Sequence, residues 1–132
     1  MACSSPNQSS ESSSVEVKVT QEPAVKVIDV IEFEAKLNSG NVQVIDVRTD
    51  GEVAEGVIPG AIQIDISDRE NFEAEIAKLD KDRDVLVYCK VGGRSAQAAS
   101  YMESQGFSKV YDLKGGILAW NGAGKDIKEL EK

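Results

Sequence analysis

An α/β fold, a central parallel sheet with helices on both of its faces, is what this sequence predicts, and three observations predict it. Short apolar runs of about four residues alternate along the chain with longer stretches of helix formers, the pattern of strands separated by helical crossovers. One of these runs, Val85-Leu86-Val87-Tyr88, is apolar throughout and too short for a helix, as a short buried strand would be. The residues with the most chemistry, Asp46 with Arg48 and Cys89, stand where such runs end, and sites in open parallel sheets lie beyond the carboxyl ends of strands.

Taken in order, residues 1–23 read as a disordered Ser-rich tether and residues 24–132 as one domain. From Cys3 to Ser14 there is no aliphatic or aromatic anchor whose burial could offset the entropy of ordering. Val15-Glu16-Val17-Lys18-Val19 alternates like a strand and is expected either to add an edge strand or to stay mobile. Val25–Ile28 is the first firm strand. Asp29, with Glu32 three residues on, caps a helix over Val30–Leu37 that Asn38-Ser39-Gly40 ends. Val42–Ile45 is a second strand, leading into Asp46-Val47-Arg48. Thr49-Asp50-Gly51-Glu52 opens a short helix or turn, Ile58-Pro59-Gly60 turns the chain, and Ala61–Ile64 is a third strand. A helix is expected over Glu70–Lys78, with Phe72, Ile76 and Leu79 as its apolar contacts. The long helix after Cys89 closes at Gly106, Lys109–Leu113 is the last strand, and Gly115-Gly116 leads into a helical Ile117–Trp120. The charged segment Asp126–Lys132 reads as a helical end.

The strand at Val85–Tyr88 is followed without a gap by Cys89-Lys90-Val91-Gly92-Gly93-Arg94-Ser95. Gly92 and Gly93 permit the unusual backbone of a tight turn. Ser95 is a good helix N-cap, and Ala96–Met102 continues with helix formers. Strand, cysteine, glycine turn and helix start together aim backbone N–H groups and the positive end of a helix dipole at one point. A cysteine at the end of an apolar run is commonly inert core. Here Lys90, Arg94 and the helix start each lower a thiol's pKa, which makes Cys89 the candidate nucleophile. Lys90, Val91, Gly92, Gly93, Arg94 and Ser95 then form the candidate binding loop.

Composition narrows the function. The 132 residues carry a net charge of −8, and from Ala24 onward there are fourteen basic against twenty acidic residues, so the tail does not cause the acidity. That field argues against nucleic acid and against an anionic membrane surface as partners. Lys90 and Arg94 on one loop are a local exception that suits a small anionic substrate. Without histidine, Ser-His-Asp and Cys-His mechanisms and His-ligated metals are excluded. There is no phosphate-binding glycine loop and no dinucleotide fingerprint, so neither cofactor nor metal is expected. Cys3 and Cys89 imply no disulfide framework. No stretch approaches the ~20 apolar residues of a membrane span.

Four segments in order resemble the single-domain rhodaneses, a family of sulfurtransferases: Asp46-Val47-Arg48 with Glu52; Gly56-Val57-Ile58-Pro59-Gly60-Ala61; Cys89 to Ser95; and Gly115-Gly116 with Ala119-Trp120. The similarity spans about Val25 to Lys125. It departs at Val57, where the family often has histidine, and at Val53, where it often has an aromatic residue. The resemblance implies the rhodanese-like fold and a sulfane sulfur carried as a Cys89 persulfide from thiosulfate or another donor to a thiol or cyanide acceptor. It implies Lys90 and Arg94 as ligands of the anionic donor, with Asp46 and Arg48 as a supporting ion pair. A sulfur-carrier module with little turnover is the alternative. A phosphatase or arsenate reductase is a further one, although related phosphatases place five residues between cysteine and arginine where four stand here. Ala2-Cys3-Ser4-Ser5 before a Ser-rich stretch also resembles the mature start of a bacterial lipoprotein. On that reading Cys3 carries a lipid, the signal region has been removed, and the domain is a monomer at the cell envelope, on the periplasmic side. If Cys3 is incidental, the expectation is a cytoplasmic protein.

Overall fold

The computed structural model describes residues 23–130; Cys3, the Ser-rich stretch and Val15–Val19 lie outside the described residues. Five strands alternate with five helices in the order β1 (Val25–Ile28), α1 (Val30–Ser39), β2 (Val42–Asp46), α2 (Asp50–Val53), β3 (Ala61–Gln63), α3 (Arg69–Ile76), β4 (Asp84–Tyr88), α4 (Gly93–Ser104), β5 (Val110–Leu113) and α5 (Gly116–Gly122). The strands form one parallel sheet in the order β1-β5-β4-β2-β3. β4 lies between β2 and β5, so its end is flanked on both sides.

Strand alternation divides the interior into two layers. On one face Ile45, Val85, Val87 and Val110 meet Phe72 and Ile76 of α3 and Ala98, Ala99 and Met102 of α4. On the other, Val44, Leu86, Tyr88 and Leu113 meet Phe33 of α1 and Ile117 and Trp120 of α5. Phe33 is fully buried, with ring centroids 6.3 Å from Tyr88 and 5.9 Å from Trp120. Burying one such ring stabilises by about 2–3 kcal/mol.

Local chemistry sets the helix ends. Asp29 accepts from the N–H of Glu32 at 2.9 Å and opens α1. Glu52 Oε1 accepts from both the N–H and the hydroxyl of Thr49 at 3.1 Å and ties the first turn of α2. Asp68 accepts from the N–H of Asn71 and starts α3 one residue before the expected Glu70; that helix ends at Ile76 instead of Lys78.

Two expectations are corrected. Ser95 does not cap α4: the helix begins at Gly93 with Gly92 in the cap position, which places Ser95 within the first turn. Nor is the segment after Asp126 helical as far as it is described, through Leu130. It runs extended and forms an antiparallel bridge between Lys128 and Val57, with the N–H of each donating to the other's carbonyl at 2.8 and 2.7 Å. Ile127 and Leu130 alone give a short charged segment little to bury as a helix, whereas this bridge satisfies backbone groups of the turn before β3.

Candidate active site

Cys89 immediately follows β4, and its side chain is buried, 1% exposed, under the loop it begins. Gly92 adopts φ 126°, a conformation L-residues rarely reach, and this turns its N–H onto Cys89 Sγ at 3.0 Å. The first bond inside α4 runs from the N–H of Ala96 to the Gly92 carbonyl. The N–H groups of Gly93, Arg94 and Ser95 are therefore unclaimed by the helix, at the positive end of its dipole. Burial is the largest single influence on the thiol and pushes its pKa up. The Ser95 hydroxyl, followed by the backbone N–H groups of Ser95, Gly92 and Val91, outweighs it and holds Cys89 below the ordinary cysteine range.

The loop is locked from below by α5. The N–H of Ile117 donates to the Cys89 carbonyl at 2.9 Å, and that of Leu118 to the Lys90 carbonyl at 3.2 Å. Gly116 makes the approach feasible. At φ +62°, a Cβ there would lie 2.3 Å from the Lys90 carbonyl oxygen and 2.6 Å from that of Cys89.

The resemblance implies Arg94, together with Lys90, as a ligand of an anionic donor. In the structure Arg94 Nη1 and Nη2 donate to Oε1 and Oε2 of Glu52 at 2.7 and 2.8 Å, a bidentate pair between α4 and α2. The guanidinium holds the Glu52 carboxyl down to about 2, and Glu52 in turn raises Arg94. Lys90 is exposed, with no ion-pair partner among the described residues. It lines a cleft of about 130 Å³ with Arg48, Glu52, Glu55, Leu118 and Asn121. Val91, at the outside of the loop, is 60% exposed.

Asp46 ends β2 and lies in register with Tyr88, one residue before the cysteine. Arg48 Nη2 donates to Asp46 Oδ2 at 2.7 Å and to the Gly56 carbonyl at 2.8 Å, and both side chains are buried. Alternation puts Asp46 on the α1/α5 face and Cys89 on the α3/α4 face, so this pair braces the end of β2 from the far side of the sheet.

Three residues have parts that sequence reasoning did not give them. Glu52 stood in a motif, but its pairing with Arg94 bridges 42 positions. Gly116 stood in another, without its contact to the loop. Asp112 was read only as part of a strand; it is 4% exposed and bonded to Ser95. An acidic residue inside the apolar run Val110–Leu113 was the available signal for it.

A family model for the rhodanese-like domain matches residues 29–123. The chain belongs to the rhodanese-like family. It is 36% identical over 102 residues to the putative sulfurtransferase YtwF of Bacillus subtilis, covering 76% of this chain and 95% of that protein. It is 39% identical over 83 residues to the thiosulfate sulfurtransferase GlpE of Shewanella oneidensis, covering 63% and 79%. A match at 35% identity covers 72% of this chain but 31% of the tRNA uridine(34) hydroxylase of Cytophaga hutchinsonii. Among solved structures, a rhodanese-like domain protein from Staphylococcus aureus superposes with a TM-score of 0.68 at 31% identity, covering 80% of this chain and 99% of that one. The parallel five-stranded sheet is thus the rhodanese-like fold, and sulfurtransferases are among this domain's relatives.

Proposed function

We propose that this rhodanese-like domain transfers sulfane sulfur through a Cys89 persulfide, with thiosulfate or a persulfide as donor and a thiol or cyanide as acceptor. The observation that carries the reading is the convergence of the Gly92 N–H, the Ser95 hydroxyl and the α4 start on one buried sulfur in a chain without histidine. In the first half-reaction the Cys89 thiolate attacks the outer sulfur of the donor. A new S–S bond forms as the donor's own breaks, and sulfite or the donor's thiolate leaves with the electron pair. In the second, the acceptor attacks the outer sulfur and the Cys89 thiolate leaves. Sulfur stays anionic at both stages, and fixed N–H donors stabilise it without reorganisation. Intact-mass measurement after thiosulfate should show one added sulfur on Cys89 that cyanide removes. An unmodified Cys89 thiol after exposure to both thiosulfate and a small persulfide rejects the reading.

Glu52 tempers the donor site, because its carboxylate takes two of the five N–H donors of Arg94 and offsets its charge toward a dianion. Glu52→Gln keeps an oxygen for the Thr49 N–H and removes the competing charge. The expected result is a several-fold lower KM for thiosulfate with the gain shrinking at high salt, where exposed charges are screened. An unchanged or raised KM would show that Arg94 does not meet the donor.

For localisation we propose that the native precursor is lipidated at Cys3 and held at the cell envelope by the Ser-rich tether. Several acyl chains anchor a domain firmly where one binds marginally. The precursor expressed in bacteria should take up acyl label and fractionate with membranes, and Cys3→Ser should release it. A soluble, unlabelled wild-type precursor would return the domain to the cytoplasm.

A further inference from the structure

Behind the loop, three side chains form a chain of contacts whose far end, Asp112, the transfer steps above leave unused. Cys89 Sγ lies 3.5 Å from Ser95 Oγ, and Ser95 Oγ lies 2.6 Å from Asp112 Oδ1. Exposure is 1% for Cys89, 0% for Ser95 and 4% for Asp112, so solvent has little part in their proton exchange. In the sheet Asp112 is flanked by Val27 of β1 and Val87 of β4. No basic side chain pairs with it among the described residues. The charged groups of the loop itself are Arg94, held by Glu52 of α2, and Lys90, which is exposed. The residues that β1, β4 and β5 turn toward α4 beside Asp112 are Val25, Val85, Val87 and Val110, none of them titratable.

A hydroxyl has one proton to donate. The Ser95 hydroxyl cannot serve the Asp112 carboxylate, the Gly92 carbonyl at 3.1 Å and the Cys89 sulfur at the same time. With Asp112 ionised, Ser95 donates to Oδ1 and the Cys89 S–H donates to Ser95 Oγ. With Cys89 ionised, Ser95 donates to the sulfur and the protonated Asp112 donates to Ser95 Oγ. Both arrangements contain the same number of protons and a single negative charge. Ionising both groups would place two like charges on either side of one buried hydroxyl, with no basic side chain paired to either among the described residues, which raises the second ionisation.

We propose that Cys89 and Asp112 share one proton through the Ser95 hydroxyl, so that Asp112 takes up the proton when Cys89 becomes the nucleophile. In this step the Cys89 S–H bond breaks and its proton joins Ser95 Oγ. The Ser95 proton passes to Asp112 Oδ1, and sulfur keeps the electron pair. Nothing is released to solvent. Burial pushes Asp112 up while the loop holds Cys89 down, which brings the two groups toward the matched basicity that sharing requires. Asp112 acts only through Ser95 and is a positioning residue. The inference rests on Cys89 as the nucleophile proposed above. Its test reads the thiol's titration, so it can fail while sulfur transfer stands.

The alkylation rate of Cys89 by iodoacetamide should be followed against pH in the full chain, read on the Cys89 peptide so that Cys3 does not contribute. Wild type should rise in two steps separated by a plateau of partial reactivity. Asp112→Asn can still accept from Ser95 but cannot take up a proton, and its profile should collapse to one step. The upper wild-type step should lie on the order of two pH units above that single step, as two charges roughly 6 Å apart in an effective dielectric of about 20 require. Superimposable profiles, or two steps surviving in Asp112→Asn, overturn the proposal. Should Asp112→Asn fail to fold, the buried carboxyl's infrared C=O band in carbon-13-aspartate-labelled protein gives the same answer. Its protonation should titrate to higher pH in wild type than in Cys89→Ser, and identical titrations overturn the proposal.

Discussion

Cys89→Ser should leave no measurable sulfur transfer from thiosulfate to cyanide, with thermal unfolding close to wild type. The serine oxygen would stand where Sγ now accepts the Gly92 N–H at 3.0 Å, and a hydroxyl in that buried position finds both donors and acceptors. The stability change should therefore stay within about 1 kcal/mol, the scale of one exchanged hydrogen bond. Activity responds differently, because an oxygen in place of sulfur forms no persulfide. Cys89 is the single free cysteine among the described residues. Turnover and unfolding measured on the same preparation separate loss of chemistry from loss of fold. Transfer that survives the substitution would remove Cys89 from the reaction.

Gly116→Ala should lose most of the activity without touching a reacting atom. A Cβ at 2.3 Å from one carbonyl oxygen and 2.6 Å from another meets backbone, which cannot rotate away as a side chain could. Either α5 retreats or the loop lifts, and in both cases the bonds from Ile117 and Leu118 to the Cys89 and Lys90 carbonyls are lost. With the positive φ added, destabilisation should be about 3 kcal/mol. A lifted loop moves the Gly92 N–H off the sulfur, and losing one such donor commonly costs on the order of 100-fold in kcat. Gly122→Ala on the same helix is the control, since nothing lies within 4 Å of its Cβ position and its φ is not positive. If the two variants behave alike, Gly116 does not govern the loop.

The sheet was legible in the sequence because parallel strands buried on both faces read as apolar runs. Val42–Ile45 and Val85–Tyr88 needed no tertiary information to be found. Cys89 was legible too, through the glycines and helix formers that follow it. Ser95 was misread because capping preference selects the best side chain, whereas the helix start here is set by Gly92 wrapping its N–H around the sulfur. The Ser95 hydroxyl is bonded instead to Asp112, which arrives from a strand 17 positions away. The Glu52–Arg94 pair was hidden for the same reason: local charge patterning reaches three or four residues, and this pair depends on how α2 and α4 are brought together. The segment after Asp126 failed as a helix because its pairing partner, Val57, lies far back in the chain.

The depth of the cysteine has a consequence for what can react with it. Cys89 is 1% exposed, whereas Val91, two residues on in the same loop, is 60% exposed. On the proposed reaction a second sulfur would extend Cys89 by one S–S bond, about 2 Å, so that the empty and loaded forms would present their reactive atoms at different depths. A donor would then have to bring an unhindered terminal sulfur down to the buried atom, whereas an acceptor would collect it nearer the surface. An ordinary disulfide carries a substituent on each sulfur and has no slender end to insert. On the proposed reaction, a thiol this deeply buried is expected to exchange with thin sulfur carriers in preference to bulky oxidised thiols.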